Sequence, residues 1–162
     1  MNAMDFLSRP YRIYVLLEKA RQKVAALQSL TERVTARFGL ESVPVSHSRN
    51  TSAMQDTIAV LMEAKEETAR LEDELAKVEL ETGMVLARLP DETLHDFMVA
   101  RFLDYLPIAA ITEKMNYSYS WGRLELAKGV SAVQQILDEM EADGESPFIA
   151  AELAGDWQDI AD

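Results

Sequence analysis

Two long stretches of the chain repeat hydrophobic or small residues at alternating spacings of four and three. The first runs from about Pro10 to Phe38, and the second from about Ala53 to Leu89, just before Pro90. Spacing of this kind places a narrow apolar stripe along one side of a helix, so each stretch predicts a long, coiled-coil-like helix. The first stripe consists of Ile13, Leu17, Ala20, Val24, Leu27, Thr31, Val34 and Phe38, and the second of Met54, Ile58, Leu61, Thr68, Leu71, Leu75, Val78, Val85 and Leu89.

The segment between the two stretches, "LESVPVSHSRNTSAM", predicts a loop, because it contains Pro44 and four serines. Thr51 or Ser52 is the expected N-cap of the second helix, and the stripe of that helix slips between Leu61 and Thr68. A short loop favours an antiparallel helical hairpin. Two helices bury too little apolar surface for an independent domain, so we expect either the C-terminal part or a second copy to cover them, with a homodimer as the default.

Residues 91–142 predict three shorter helices. Pro107 separates the first from a short second helix, Asn116 suits a left-handed turn, and Ser118 suits the N-cap of the third. A turn of about three residues between the last two helices matches a helix-turn-helix in outline. We therefore predict an all-α fold: a long antiparallel hairpin (residues 1–89), a trihelical helix-turn-helix unit (91–142) and an acidic tail (143–162).

In a helix-turn-helix, the start of the last helix faces the major groove of double-stranded DNA. The inward face of this helix is predicted from its apolar residues, and Tyr117 is expected to fill the core between the helices, while Gly122 weakens the last helix by about 1 kcal/mol relative to Ala. The predicted inward residues are Leu124, Leu126, Val130, Val133 and Leu137. The predicted groove contacts are Tyr119, Ser120, Trp121 and Arg123, and Lys114 and Lys128 are available for phosphate contacts. The alternative is a three-helix cap on the hairpin, with Trp121 in its core.

The net charge of −12 argues against DNA binding, because affinity for DNA comes largely from neutralising phosphates. The charge is unevenly distributed, however. Residues 1–50 carry eight Lys/Arg and four Asp/Glu, residues 51–100 carry four and twelve, and residues 142–162 carry none and six. The tail is predicted to be disordered or to fold on a partner. With only negative charges and two aromatic residues, it could cover the last helix as a phosphate mimic.

Catalytic and metal chemistry find little support in the residue pattern. The chain has no cysteine, and neither His47 nor His95 has a partner at ligand spacing. The glutamates between Glu63 and Glu74 fit a solvated helix face. We expect no enzyme activity, no cofactor and no metal. No apolar run approaches the roughly 20 residues of a membrane span, and the start lacks a secretory signal, so we expect a cytoplasmic protein.

The segment "RFLDYLPIAAITEKMNYS" resembles the Arg-Tyr/Phe and Ile-Ala-x-x-Met-Gly-Tyr-Ser pattern of phage-encoded regulators of the ArpU/RinA type. The C-terminal part of that family is similar to the region-four helix-turn-helix of sigma factors. "MNAMDFL", "LTERVTARFG" and "MQDTIAVLMEAKEETARLEDELAKVE" are similar to its start and its helical hairpin, so the resemblance covers residues 1 to about 140. It implies a phage or prophage transcriptional regulator in a bacterial host, binding DNA as a dimer, with Arg101 joining Lys114 and Lys128 as a predicted phosphate contact.

The chain departs from the family pattern after Ser118. The family continues with Arg, His and Val and then Arg-Leu-His, whereas this chain has "YSWGRLELAKGV". Arg123 and Leu124 match only with one residue deleted; without a gap, Glu125 replaces the arginine and Leu126 takes the leucine position. Two alternatives follow from the loss of basic residues. One is an interaction protein that binds RNA polymerase or a sigma factor, and the other is a phage assembly or scaffold protein.

Overall fold

The fold is all-α. A computed structural model describes the backbone of residues 1–40 and 47–150 and the side chains of residues 1–37 and 52–150, and every regular element within them is a helix. In chain order the helices are α1 (Ala3–Leu7), α2 (Arg9–Leu40), α3 (His47–Leu86), α4 (Glu92–Phe102), α5 (Ile108–Met115) and α6 (Tyr119–Ala142).

The apolar stripe predicted for α2 is the buried side of that helix. From Ile13 to Val34 each of its seven residues is buried or half-buried, with Leu17 only 1% exposed; Phe38 lies outside the described side chains. On α3 two expectations were wrong. Ile58 is 38% exposed and Thr57 is half-buried in its place, and Ala64 is 6% exposed, so the stripe continues through Ala64 without a slip.

The start of α3 differs from the prediction as well. The helix begins at His47, so the expected cap at Thr51 or Ser52 lies inside its second turn and is wrong. Ser, Thr and Asn are only slightly poorer helix formers than average, and a long helix tolerates a few of them. The rest of the predicted loop, residues 41–46, lies outside the described residues.

The chain forms two compact units. The first comprises residues 1–13 together with the described residues from Leu75 onward, and the second comprises Tyr14–Glu74. The boundary expected near residue 90 therefore lies within the first unit. In the second unit, the Arg21 guanidinium is 3.3 Å from the Glu72 carboxylate, and residues 28–36 line a groove with Leu61. Both contacts join α2 to α3 within the second unit.

The core of the first unit joins both ends of the described chain. Its fully buried side chains include Phe6 and Leu7 of α1, Leu86 of α3, Phe97 of α4 and Val133 of α6. The helix α1 was not predicted, because five residues are too short to display a period. It is capped by the Asn2 side chain, which accepts from the Met4 N–H, and the Ala3 N–H donates to Gln134 of α6 at 2.8 Å.

Residues 143–150, the described part of the predicted tail, pack within the first unit, so the prediction of a tail that is disordered or folds on a partner was wrong for these residues. The Phe148 ring lies 6.2 Å from the Phe6 ring and under the Arg9 guanidinium. The Ile149 N–H donates at 2.9 Å to Glu81, a fully buried carboxylate that also pairs with Arg9 at 2.8 Å. The contacts of the Phe148 ring with Phe6 and Arg9 and the hydrogen bond from Ile149 to Glu81 hold the segment in place. The remaining acidic residues, 151–162, lie outside the described residues.

Candidate nucleic-acid interface

The connection between α5 and α6 is a tight turn built by two residues. Asn116 adopts the left-handed conformation (φ 61°, ψ 38°), which Asn tolerates better than most residues, and this reverses the backbone after Met115. The Tyr117 N–H then donates to the Thr112 carbonyl at 2.9 Å. Ser118 caps α6, because its hydroxyl accepts from the Trp121 N–H at 3.1 Å. The predicted roles of Asn116 and Ser118 in this turn are confirmed.

Gly122 sets the close approach of α6 to α5. A Cβ at this position would lie 2.5 Å from Cγ2 of Thr112 and 2.7 Å from Cγ2 of Ile108, well inside van der Waals contact. Gly129, two turns later, faces the side chain of the buried Met98 in the same way. Gly122 therefore allows the close packing of the two helices. The sequence-based prediction treated it only as a residue that destabilises the helix and did not include this role. Two glycines seven residues apart share one helix face, which is the signal that identifies a closely packed side.

Two residues near the turn exchange the roles predicted for them. Tyr117, expected in the core, is 48% exposed. Trp121 is half-buried instead, with its ring edge-on to Phe97 at 5.8 Å and stacked on Tyr117 at 3.9 Å. Because Ser118 is the N-cap of α6, Trp121 lies in the first turn of that helix, next to α4. The predicted groove contact Trp121 thus anchors the turn and offers only part of its surface.

The close packing of Gly122 and Gly129 against the neighbouring helices determines which side of α6 faces outward. Leu124, predicted to point inward, is 72% exposed, because it lies about 200° around the helix from Gly122. The other four predicted inward residues are buried or half-buried. Residues on the exposed side follow one another at spacings of four, three and four. They form the outer strip of α6, which consists of Ser120, Leu124, Ala127 and Ser131.

Basic side chains flank the outer strip unequally. Arg123 is exposed on one side, and no interaction recorded within residues 1–37 and 52–150 engages its guanidinium. Lys128, on the other side, donates to Asp91 at 3.1 Å and lies 3.9 Å from Glu125. These carboxylates raise the pKa of Lys128, Asp91 first. The pKa of Asp91 is lowered by the Leu94 N–H, which it caps, and then by Lys128.

Two predicted phosphate contacts lie away from this strip. Lys114 is exposed near the end of α5. Arg101 is half-buried on α4, where its guanidinium donates to the Leu106 carbonyl at 3.2 Å. Its buried Nε has no hydrogen-bond partner in the part of the chain that the structure describes. Arg101 thereby braces the α4–α5 connection, in which Tyr105 adopts a positive φ of 58°.

Arg101 and Tyr119, which are 18 residues apart, line the same cleft. Its volume is about 560 Å³, and its other walls come from α1, the start of α2 and the start of α5. Tyr119 is 54% exposed at its mouth. The structure thus gathers Ser120, Arg123 and Lys128 around one side of α6, places Tyr119 with Arg101 at the cleft, and leaves Lys114 at the far end of α5.

Other chemistry is limited in the described part of the chain. No three His, Asp or Glu side chains within it are placed to share a metal ion. None of its helices has a stretch long and apolar enough to cross a membrane. Comparisons with protein-family models, with curated proteins and with solved structures find no match for this chain.

Proposed function

We propose that this chain is a DNA-binding transcriptional regulator of the phage or prophage type, acting in the cytoplasm of a bacterial host. In this proposal α5, the Asn116 turn and α6 form a helix-turn-helix like region four of sigma factors, and the start of α6 enters the major groove. The observation that carries the proposal is the left-handed Asn116 followed by a Ser118-capped helix whose first two turns present an exposed side. The protein has no catalytic role and needs no cofactor or metal for this function.

In this proposal the exposed side chains make the main contacts in the groove. Arg123, Ser120 and Tyr119 are exposed, so each can reach DNA without rearrangement. Trp121 is half-buried, so it contributes only part of its surface, and its stacking on Tyr117 mainly holds the turn. Lys114 and Lys128 would contact phosphates, and Arg101 would position Tyr119 from across their common cleft.

Electrostatics predict weak and only moderately salt-dependent binding. Each phosphate that a protein neutralises contributes a slope of roughly −0.9 to a plot of log K against log salt concentration. Three cations near α6 correspond to a slope near −3 per protomer, and Lys128 must exchange Asp91 for a phosphate. Two protomers are therefore required for useful affinity. The second unit supports a homodimer, because its helix pair leaves large hydrophobic residues exposed: Leu16, Leu30, Ile58, Val60 and Met62.

The test is fluorescence anisotropy with a pool of random-sequence DNA duplexes, at salt concentrations from low to physiological. We expect binding that weakens with salt, and Arg123→Ala should lower both the affinity and the slope, the latter by about one. Arg70→Ala is the matched control, because Arg70 is an exposed arginine of the second unit that pairs with Glu67. If the chain binds no duplex at low salt, the proposal is wrong.

The second candidate is an interaction protein that binds RNA polymerase or a sigma factor through the same side of α6. The exposed Leu124 and the carboxylates that hold Lys128 favour it, because both suit a protein partner better than a phosphate backbone. It predicts co-elution with purified RNA polymerase or sigma factor without DNA. Large assemblies formed by the chain alone, seen by sedimentation velocity, would instead indicate an assembly or scaffold protein.

A further inference from the structure

We infer that the outer strip of α6 selects DNA sites by the C5-methyl groups of thymines, with Leu124 as the specificity-determining residue and Arg123 as the single guanine-reading residue beside it. This inference rests on the proposed DNA-binding function and specifies which sequences that function recognises. The first observation is the exposure of Leu124, which at 72% exceeds that of every other large hydrophobic side chain in the described part of the chain.

The chemistry of the strip matches the floor of an A·T-containing major groove. Ser120, Ala127 and Ser131 are short, so the backbone of α6 can approach the base edges closely, and Leu124 is the one long apolar side chain among them. In the major groove thymine presents a methyl group that apolar side chains contact, and guanine presents two acceptors that suit an arginine. The strip carries no Asn, Gln or Glu, which are the side chains that read adenine or cytosine directly.

The charges beside the strip argue for DNA as its occupant. Arg123 is exposed on one side of the strip, where its guanidinium can reach a guanine edge. Lys128 lies on the other side, where it reaches the backbone that borders the groove by exchanging Asp91 for a phosphate. A helix about 10 Å wide fits between the two backbones of a groove about 12 Å wide. From Ser120 to Ala127 the strip spans about 10 Å, which corresponds to roughly three base pairs. We therefore expect a core site of one guanine next to two or three A·T pairs whose thymine methyls face Leu124.

The test uses the full-length protein and the best duplex obtained by selection from a random pool. A second duplex replaces every thymine of the core site by deoxyuridine, which removes the methyl groups and leaves charge and base pairing unchanged. We expect the deoxyuridine duplex to bind about three- to tenfold more weakly. Leu124→Ala should lose a similar factor on the thymine duplex and should no longer distinguish the two duplexes.

Leu80→Ala is the matched control, because Leu80 is a 48% exposed leucine of α3 outside the strip, and this variant should keep the full preference for thymine. Unchanged circular dichroism melting of Leu124→Ala would show that the fold is retained, as expected for so exposed a side chain. Equal binding of both duplexes by the wild type would overturn the methyl inference and leave DNA binding intact. Absence of binding to every duplex would overturn both, and a Leu124→Ala effect on self-association alone would assign the strip to a protein interface.

Discussion

Replacing Gly122 by alanine tests the close packing of α5 and α6 on which the candidate interface depends. The added methyl would lie 2.5 Å from Thr112 and 2.7 Å from Ile108, whereas carbon atoms pack at about 3.5–4.0 Å. Both neighbours are β-branched methyl groups on the opposing helix, and their χ1 angles have little freedom there. The helices must therefore separate by about 1 Å, or one side chain must leave its rotamer.

The expected magnitude combines two opposing effects. Overpacking a close contact costs about 1–3 kcal/mol, and exchanging glycine for alanine within a helix returns about 1 kcal/mol. Two contacts at this distance place the cost in the upper part of that range, so we expect a net loss of about 1–2 kcal/mol. Gly83→Ala is the control, because its Cβ would meet only Leu103, at an ordinary 3.8 Å, and this variant should gain up to about 1 kcal/mol.

The assay is urea unfolding followed by circular dichroism at 25 °C, and the two variants should shift the midpoint in opposite directions at unchanged slope. Adding Thr112→Ser to Gly122→Ala removes one obstructing methyl and keeps a hydroxyl that donates to the Ile108 carbonyl at 3.0 Å. The double variant should therefore recover part of the loss beyond additivity. If Gly122→Ala stabilises the protein as much as Gly83→Ala does, α5 and α6 do not pack as closely as described, and the outward orientation of Leu124 loses its support.

Three further predictions concern buried and titrating groups. Thr82→Val should stabilise the protein by about 1 kcal/mol in urea unfolding, because the buried Thr82 hydroxyl has no hydrogen-bond partner among the described residues; Thr68→Val, whose hydroxyl donates at 2.9 Å to the carbonyl one turn earlier, should not. Arg9→Ala should cost about 2–3 kcal/mol in the same assay, because it removes the cation that pairs with the buried Glu81, and an effect near zero would contradict the ion pair. Asp91→Asn keeps the N-cap but removes a carboxylate whose pKa is lowered in the folded state. The wild type should therefore be more stable than the variant above the unfolded-state pKa of Asp91, and this difference should fade as the pH falls through the folded-state pKa. A constant difference between the two proteins from pH 7 to pH 2 in thermal melts would refute this.

The spacing of apolar residues was enough to predict the long helices and one side of each. The stripe from Ile13 to Val34 is the buried side of α2 because only a helical period places those residues together. On α3 the same rule failed where a large residue stood beside a small one. Ile58 was placed in the stripe, although the alternation of four and three, continued from Thr68 through Ala64 and Leu61, leads to Thr57. The position of a residue around the helix determines which way its side chain points. Position therefore predicts burial better than hydrophobicity does where the two disagree.

At the candidate interface, local turn chemistry was predictable and helix rotation was not. Asn116 and Ser118 act through their own backbone and side-chain preferences, so the sequence contains their roles. The rotation of α6 depends instead on which side approaches a neighbouring helix, and that side is marked by the absence of side chains at Gly122 and Gly129. The pattern of hydrophobic residues does not show where a helix lacks side chains. Leu124 was therefore predicted to point inward because it is hydrophobic, although its position two residues after Gly122 places it on the exposed side.

The same rotation has a consequence for affinity. Turning Leu124 outward also turns Glu125 inward, where it is 7% exposed and next to Lys128. Asp91, the N-cap of α4, and Glu125 hold Lys128 on one side of α6, and Arg123 is exposed on the opposite side. In the proposed function, binding to a polyanion would therefore come mainly from the Arg123 side of the helix. For the proposed DNA binding, we therefore expect a single α6 to bind weakly. For a regulator built on this helix, a second copy, paired through the exposed hydrophobic residues of the long helices, would supply the missing contacts on the other half of the site.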